Sequence, residues 1–163
     1  MSEWISLNKE HNFPNLTRDV YEKTSDEDEY NNCAAWAMGN KDNWLQPFGE
    51  KWHVWPNGAP LSFEVTSFVK AYELFGFEEC ADSVHEIGYE KIAIYAYPDG
   101  AFAHAAKLNT DGSWSSKLGK IEDIQHDNLG CLEGPWPAYG EVRFFMKTLH
   151  SKCVNVSQLT RFP

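Results

Sequence analysis

The segment KIAIYAYPDGAFAHAAKLNTDGSWSSKL, residues 91–118, decides the fold expected of this chain. Its two turn signals, YPDG and NTDG, separate three segments with the composition of strands. An Asp-Gly pair in this setting favours a type I turn followed by a glycine bulge. That turn type places Tyr97 opposite Ala101 and Asn109 opposite Ser113. The stretch therefore predicts a three-stranded antiparallel meander, with strands over residues 91–97, 101–109 and 113–118.

The register assigns each residue of the meander to one face, because side chains alternate along a strand. One face is largely apolar and is expected to pack against the core. Its members are Ile92, Ile94, Ala96, Phe102, His104, Ala106, Leu108, Trp114, Ser116 and Leu118. The outer face carries Tyr95 and Lys117, among others. His104 and Ser116 bring hydrogen-bonding groups to the core face, and they lie on neighbouring strands within reach of each other.

Two helices are predicted before the meander. The first begins where Asn31 or Asn32 offers a capping side chain, and it ends at Gly39. The second spans residues 61–75, because apolar residues recur there at three- and four-residue steps. Residues 43–60, which are rich in Trp and Pro, predict an ordered loop packed by its aromatic side chains, or one wall of a binding groove.

The remaining chain predicts a short helix over residues 121–129 and a strand over 139–148. Residues 1–29 are read as a polar N-terminal arm, and 149–163 as a C-terminal tail. The expected fold is α+β, in a single domain spanning residues 1–163. Its helices pack on one face of an antiparallel sheet.

The formal net charge of −10 argues against nucleic acid and against anionic membrane surfaces, because both require clustered basic side chains. The N-terminus lacks the basic and apolar regions of a signal peptide, so the expected location is the cytoplasm. The four cysteines form no Cys-x-x-Cys pair. Free thiols are therefore favoured over two disulfides, and neither a metal site nor a cofactor is expected.

Cys33 stands where an acidic loop becomes the first helix. A thiol attacks only as the thiolate, which a helix N-terminus and a neighbouring imidazolium both stabilise. His104 supplies an imidazole on the sheet face expected to receive that helix. The pair predicts a nucleophile and a general base, while the alternative is a buried structural thiol and a satisfied core histidine.

The same region resembles the papain-like superfamily, in its small bacterial forms related to the NlpC/P60 and transglutaminase-like enzymes. More narrowly it resembles a family of small uncharacterised bacterial proteins with no assigned substrate, over about residues 30–148. The segments that carry the resemblance are YNNCAAWAMG (30–39), GYEKIAIYA (88–96), HAA (104–106), WSSKLG (114–119), EDIQH (122–126) and YG (139–140). The resemblance implies a papain-like fold, with Cys33 as nucleophile and His104 as general base.

The third catalytic residue is left open between the inward Ser116 and a residue that folds back, namely Glu122, Asp123 or His126. The first function hypothesis is a cysteine hydrolase or acyltransferase of peptidase, amidase or deamidase type. Its substrate is a peptide, a protein or a small amide or ester. The second is a catalytically inactive papain-like module that binds a partner through the Trp-rich loop. A third is a structural or immunity-type protein whose acidic surface meets a basic partner.

Overall fold

The computed structural model describes residues 4–49, 52–150 and 159–161. Strands dominate it, and about 15% of it is helical. The helices are α1 (Leu7–Glu10), α2 (Cys33–Ala37) and α3 (Val65–Leu74), with a 3-10 turn at Gly130–Leu132. The strands are β1 (Tyr21–Lys23), β2 (Trp44–Leu45), β3 (His53–Pro56), β4 (Glu78–Cys80), β5 (Tyr89–Ala96), β6 (Phe102–Leu108), β7 (Trp114–Lys117), β8 (Asp123–His126), β9 (Glu141–Leu149) and β10 (Leu159–Arg161).

The main sheet has seven strands in the order β1-β8-β7-β6-β5-β9-β4, and every neighbouring pair is antiparallel. The predicted meander is confirmed as its centre, strands β5 to β7. Both predicted turn pairs are also confirmed. Tyr97 N donates to Ala101 O at 2.9 Å, and Asn109 N donates to Ser113 O at 2.8 Å. The strand predicted over residues 139–148 is present as β9.

A β-bulge at Ala103 changes the register between β5 and β6. Ala96 pairs with Phe102, but the next residue of β5, Tyr95, pairs with His104. Ala103 is therefore the extra residue on β6. The alternation of β6 is shifted from His104 onward, so His104, Ala106 and Leu108 point to the face opposite the one that Phe102 occupies, while Ala105 shares the Phe102 face. The prediction that Phe102 and His104 share a face is wrong.

Both faces of the main sheet are covered. On the first, called here the helix face, α2, α3 and β3 pack on the sheet; the cluster includes Ala34, Val54, Phe68, Ile92, Ile94 and Met146. On the second, called here the far face, the N-terminal segment and residues 129–139 pack on it; this cluster includes Phe13, Leu16, Tyr95, Trp114, Ile124 and Leu132. The sheet is thus the middle layer of three, and neither of its faces is solvent-exposed as a whole.

The predicted papain-like α+β class is wrong. The chain is mostly antiparallel sheet with few short helices, and these do not pack as in a papain-like fold. Two differences account for this. The predicted helix over residues 121–129 is strand β8 followed by a 3-10 turn, and the residues expected to be a polar arm supply α1, the edge strand β1 and part of the far-face core.

α2 and α3 form for local reasons. Asn32 caps α2, because its Oδ1 accepts from Ala35 N at 3.0 Å. α3 begins four residues later than predicted, because the preceding backbone bonds to the β5–β6 turn instead: Val65 N donates to Gly100 O at 2.9 Å. It ends before Gly76, whose φ of 95° is the left-handed conformation that glycine tolerates.

The Trp-rich segment forms a second, three-stranded sheet in the order β10-β3-β2, with β2 and β3 parallel. β10 lies within the predicted C-terminal tail, of which residues 151–158 and 162–163 lie outside the described part.

Cys33, Cys80 and Cys131 are free thiols, and Cys153 is outside the described residues. Among the described helices, none combines the length and the apolar character needed to cross a membrane.

Candidate functional site

Cys33 is the first residue of α2, as predicted; the residue as a whole is partly exposed, but its thiol is buried. The helix packs on β6 and β7 from the helix face. Burial raises the pKa of the thiol to about 11, although the backbone N–H groups of Ala105 and Ala34 act to lower it. The resting state at neutral pH is therefore the protonated thiol and not the thiolate.

His104 lies on the far face and is fully buried. Its ring stacks on Tyr139 with centroids 4.3 Å apart, and it meets the edge of Tyr95 at 5.4 Å. Its Nε2 lies 2.9 Å from Ser116 Oγ, and Ser116 Oγ lies 2.8 Å from His126 Nε2. The expected contact between His104 and Ser116 is confirmed, and His126 extends it into a three-residue chain, His104–Ser116–His126.

The hydrogen bonds fix the tautomers in this chain. His126 Nδ1 lies 2.9 Å from the carbonyl oxygen of Asn128, so Nδ1 carries the proton and Nε2 accepts from the Ser116 hydroxyl. Ser116 Oγ in turn accepts from His104 Nε2–H. His104 Nδ1 is then an unprotonated acceptor, and it has no hydrogen-bond partner among the described residues. Both imidazoles are neutral in this arrangement.

Burial keeps them neutral. It lowers the pKa of His104 well below its ordinary value, and the nearby His126 lowers it further. Burial likewise lowers the pKa of His126 to about 4, against a small opposing effect of the bond to Asn128. A proton added to His104 Nδ1 would be buried without an acceptor, so this imidazole is a poor proton carrier at neutral pH.

The structure does not bring Cys33 and His104 together as a bonded pair. α2 packs on the helix face, whereas His104 points to the far face. Within the described residues, no hydrogen bond joins the thiol to this imidazole. The catalytic roles of Cys33, His104 and Ser116 stay predictions.

The other candidates for the third residue lie apart from His104. Glu122 is buried and pairs with Lys9 at 3.2 Å. The backbone N–H of Asp123 donates to Ser25 Oγ at 3.0 Å, and the Asp123 carboxylate lies 3.9 Å from Lys117 Nζ. Only His126, of the three alternatives, reaches the chain through Ser116.

Lys117 is the residue that sequence reasoning missed. Strand alternation predicts Lys117 on the outer face, but in the structure it is fully buried beside Asp123. Burial lowers the pKa of Lys117, and burial raises the pKa of Asp123. The Lys117 charge also acts to lower the pKa of Cys33. Alternation along β7 does point Lys117 and Ser116 to opposite faces of the sheet. The sequence could not reveal that both of these faces are covered.

An open groove of about 620 Å³ lies outside the main sheet and is called the aromatic groove below. It is lined by Glu29, Tyr30, Trp44, Trp52, His53 and Lys120. Trp44 stacks on His53 with centroids 5.4 Å apart, and Trp52 meets His53 edge-on at 5.7 Å. Lys120 Nζ lies 5.7 Å from the centroid of the Trp44 ring. A second hollow shares Glu29, Tyr30 and Lys120 and extends the groove toward Ile121.

Three segments of the chain are fastened together at this groove. Trp44 Nε1 donates to Glu29 O at 2.7 Å, which ties the acidic loop to β2. Asn43 Nδ2 donates to Trp52 O at 3.1 Å, which ties the start of β2 to the residue before β3. The alternative considered for the Trp-rich loop, one wall of a groove, is the arrangement found for Trp44 and Trp52. Trp55 instead is buried in the core.

In the described part of the chain, no group of three or more His, Cys, Asp or Glu side chains is placed to hold a metal ion. No curated protein and no solved structure matches this chain. A family model does match, over residues 22–147, and this span contains α2, α3 and strands β2 to β8 complete. The chain belongs to the family described as Domain of unknown function (DUF7689).

Proposed function

We propose that this chain is a binding module that recognises a peptide segment or a small ligand in the aromatic groove. The observation that carries the proposal is exposed aromatic surface on a fixed frame. Tyr30 is 71% exposed and Trp52 is 50% exposed, and both line the groove. Large aromatic side chains left in solvent beside a concave surface are typical of binding sites.

The backbone segments that carry the groove residues are held by hydrogen bonds before a ligand binds, and this favours binding. The backbone of Trp44 donates to Trp52 O at 3.1 Å, and side-chain bonds from Trp44 and Asn43 add two further ties. Aromatic side chains have few rotatable bonds, and Trp44 is held from both its ring nitrogen and its backbone. Little conformational entropy is then lost when a ligand packs on these rings.

The indole N–H signals of the protein test this proposal. The chain has seven tryptophans, and each gives one signal in a ¹⁵N-labelled NMR sample. Short acidic, basic and apolar peptides are added in turn, and Trp→Phe variants assign the signals. We expect one peptide class to shift Trp44 and Trp52 while the buried Trp55 and Trp114 stay in place. If no class shifts Trp44 or Trp52, or if Trp55 moves as much, the proposal is rejected.

A second candidate is a cysteine hydrolase or acyltransferase, and one observation favours it. Cys33 is partly exposed at the start of α2, three residues after Tyr30 of the groove. In this candidate the thiolate adds to the carbonyl carbon of an amide or ester, and the amine or alcohol leaves with a proton. The acyl-thioester is then hydrolysed by water or transferred to an acceptor. It requires a thiolate, which the burial of Cys33 disfavours.

Iodoacetamide labelling separates the two candidates. A pKa of about 11 for Cys33 makes its thiolate at pH 8 about 100-fold scarcer than that of a thiol at 9.0. We therefore expect Cys33 to react far more slowly than glutathione, with Cys33→Ala identifying its share of the label. An apparent pKa well below that of glutathione, lost in His104→Ala, would favour the hydrolase instead.

We also propose that the protein is located in the cytoplasm. The three cysteines of the described part are free thiols, as expected where proteins are kept reduced. The net charge of −10 supports a partner other than nucleic acid or an anionic membrane.

A further inference from the structure

We infer that the aromatic groove takes the cationic side chains of a basic peptide segment, Lys or Arg, on a protein partner. This inference rests on the proposed binding function and names its ligand class. The first observation is that a cation already sits at the groove. The ammonium of Lys120 lies 5.7 Å from the centre of the Trp44 ring, within the range of a cation–π contact.

The second observation is the charge around that ring. Glu29 lines the groove, and its carboxylate has no hydrogen-bond or ion-pair partner among the described residues. Glu27 and Asp28 line the adjoining hollow. Glu27 pairs with Lys9 at 2.6 Å, while Lys120 makes no ion pair in the described part of the chain. The aromatic groove and the adjoining hollow together therefore combine an aromatic face with three carboxylates and one lysine, which suits a cation and repels an anion.

The third observation concerns how Lys120 is held. Lys120 is exposed and follows Gly119 in the turn between β7 and β8, and among the described residues its ammonium contacts the Trp44 ring and no carboxylate. A flexible lysine held only by one half-buried aromatic ring is easily displaced. An incoming Lys or Arg would take the same ring face, pair with Glu29 and release Lys120 to water. Lys120 thus competes with the ligand.

This competition predicts a gain of affinity on removal of a side chain, which general damage to the fold would not produce. Lys120→Gln removes the competing cation and makes the groove more negative, so both effects strengthen binding. Glu29→Gln removes the unpartnered carboxylate and weakens it. Trp44→Ala removes the ring and weakens it as well. A contact of this type at an exposed site corresponds to a change of roughly 2- to 5-fold in affinity.

The test is fluorescence polarisation at physiological ionic strength, with a dye-labelled octapeptide of alternating Lys and Gly and a Glu-Gly octapeptide of the same length. Lys70→Gln on α3 and Glu79→Gln on β4 are matched controls, since each makes the same charge change outside the groove. We expect Lys120→Gln to tighten binding of the Lys-Gly peptide 2- to 5-fold beyond Lys70→Gln. We expect Glu29→Gln to weaken it by a similar factor beyond Glu79→Gln.

Three outcomes overturn the inference. If Lys120→Gln changes affinity no more than Lys70→Gln does, Lys120 does not compete, and the charge alone attracts the peptide. If the Glu-Gly peptide binds and loses affinity in Trp44→Ala, the groove binds ligand but the class is wrong, and the proposed function stands. If neither peptide binds and no peptide shifts the Trp44 or Trp52 indole signals, the inference and the proposed function both fail.

Discussion

The buried imidazoles of His104 and His126 make the stability of this protein depend on pH in the mildly acidic range. In the unfolded chain a histidine has a pKa near 6.5, whereas burial lowers the pKa of both residues in the folded protein. Below pH 6.5 the unfolded state therefore binds more protons than the folded state. Protons stabilise the state that binds more of them, so the free energy of unfolding must fall as the pH is lowered.

The size of the effect follows from the pKa of His126, which is about 4. At pH 5 this residue is nearly fully protonated in the unfolded chain and mostly neutral in the folded protein. Its share of the free energy of unfolding is then roughly 2 kcal/mol lower at pH 5 than at pH 7. His104 acts in the same direction, because its pKa is also lowered. The wild type should lose at least about 2 kcal/mol over this range.

Urea unfolding followed by circular dichroism at pH 7 and pH 5 measures this loss. The variants are His126→Gln and a control, His85→Gln, which changes an exposed histidine. We expect the control to lose as much stability as the wild type, and His126→Gln to lose about 2 kcal/mol less. A wild type equally stable at both pH values, or the same pH dependence in His126→Gln, would refute the reasoning that burial holds these rings neutral.

Two further predictions concern hydrogen bonds that the side chains of Ser116 and Asn32 make. Ser116→Ala leaves two buried ring nitrogens without their partner and should lower the free energy of unfolding by roughly 2–4 kcal/mol, measured by urea unfolding at pH 7. A loss under about 1 kcal/mol would argue that water or a neighbour replaces the hydroxyl. Asn32→Ala removes the cap of α2 and two bonds to Leu45, and should cost roughly 2–3 kcal/mol in the same assay. Asn32→Asp keeps the accepting oxygen and should cost less; equal losses in the two variants would contradict the assigned role of that oxygen.

The turns of the meander were predictable from sequence because their chemistry is local. An Asp-Gly pair sets the backbone of a turn whatever surrounds it, and Gly100 and Gly112 adopt φ values of 92° and 90°, as the predicted bulged turns require. The cap of α2 was predictable for the same reason, since Asn32 bonds to the backbone three residues on. In each case the residue determines the backbone conformation of its immediate neighbours in sequence.

The bulge at Ala103 was not predictable in this way. The residues around it, Ala101 to Ala106, are alanines apart from Phe102 and His104. Alanine fits either face of a strand, so the sequence carries no pattern that marks a change of phase. The prediction that His104 shares a face with Phe102 failed at this point, and the imidazole points away from the layer that holds α2.

The coverage of the far face escaped prediction because the covering segments are distant in sequence and look polar. Ile5, Phe13 and Leu16 lie in a stretch that is mostly polar and shows no regular apolar spacing, yet all three are buried in the far-face core. The sequence of β8 carries two competing periodicities, one of a strand and one of a helix. Ile124 and His126 are buried and alternate with the half-buried Asp123 and Gln125 at the two-residue step of a strand, while the three-residue step from Ile121 to Ile124 favours a helix.

The extra residue at position 103 also determines how a change in chain length would act on this protein. Removing one residue between the YPDG turn and His104 would restore strict alternation along β6 and rotate the imidazole toward the layer that holds α2. The same deletion would withdraw it from Ser116 and Tyr139. In this family, therefore, a gap of one position in this short stretch would matter more than most substitutions, because it decides which of two cores receives the histidine.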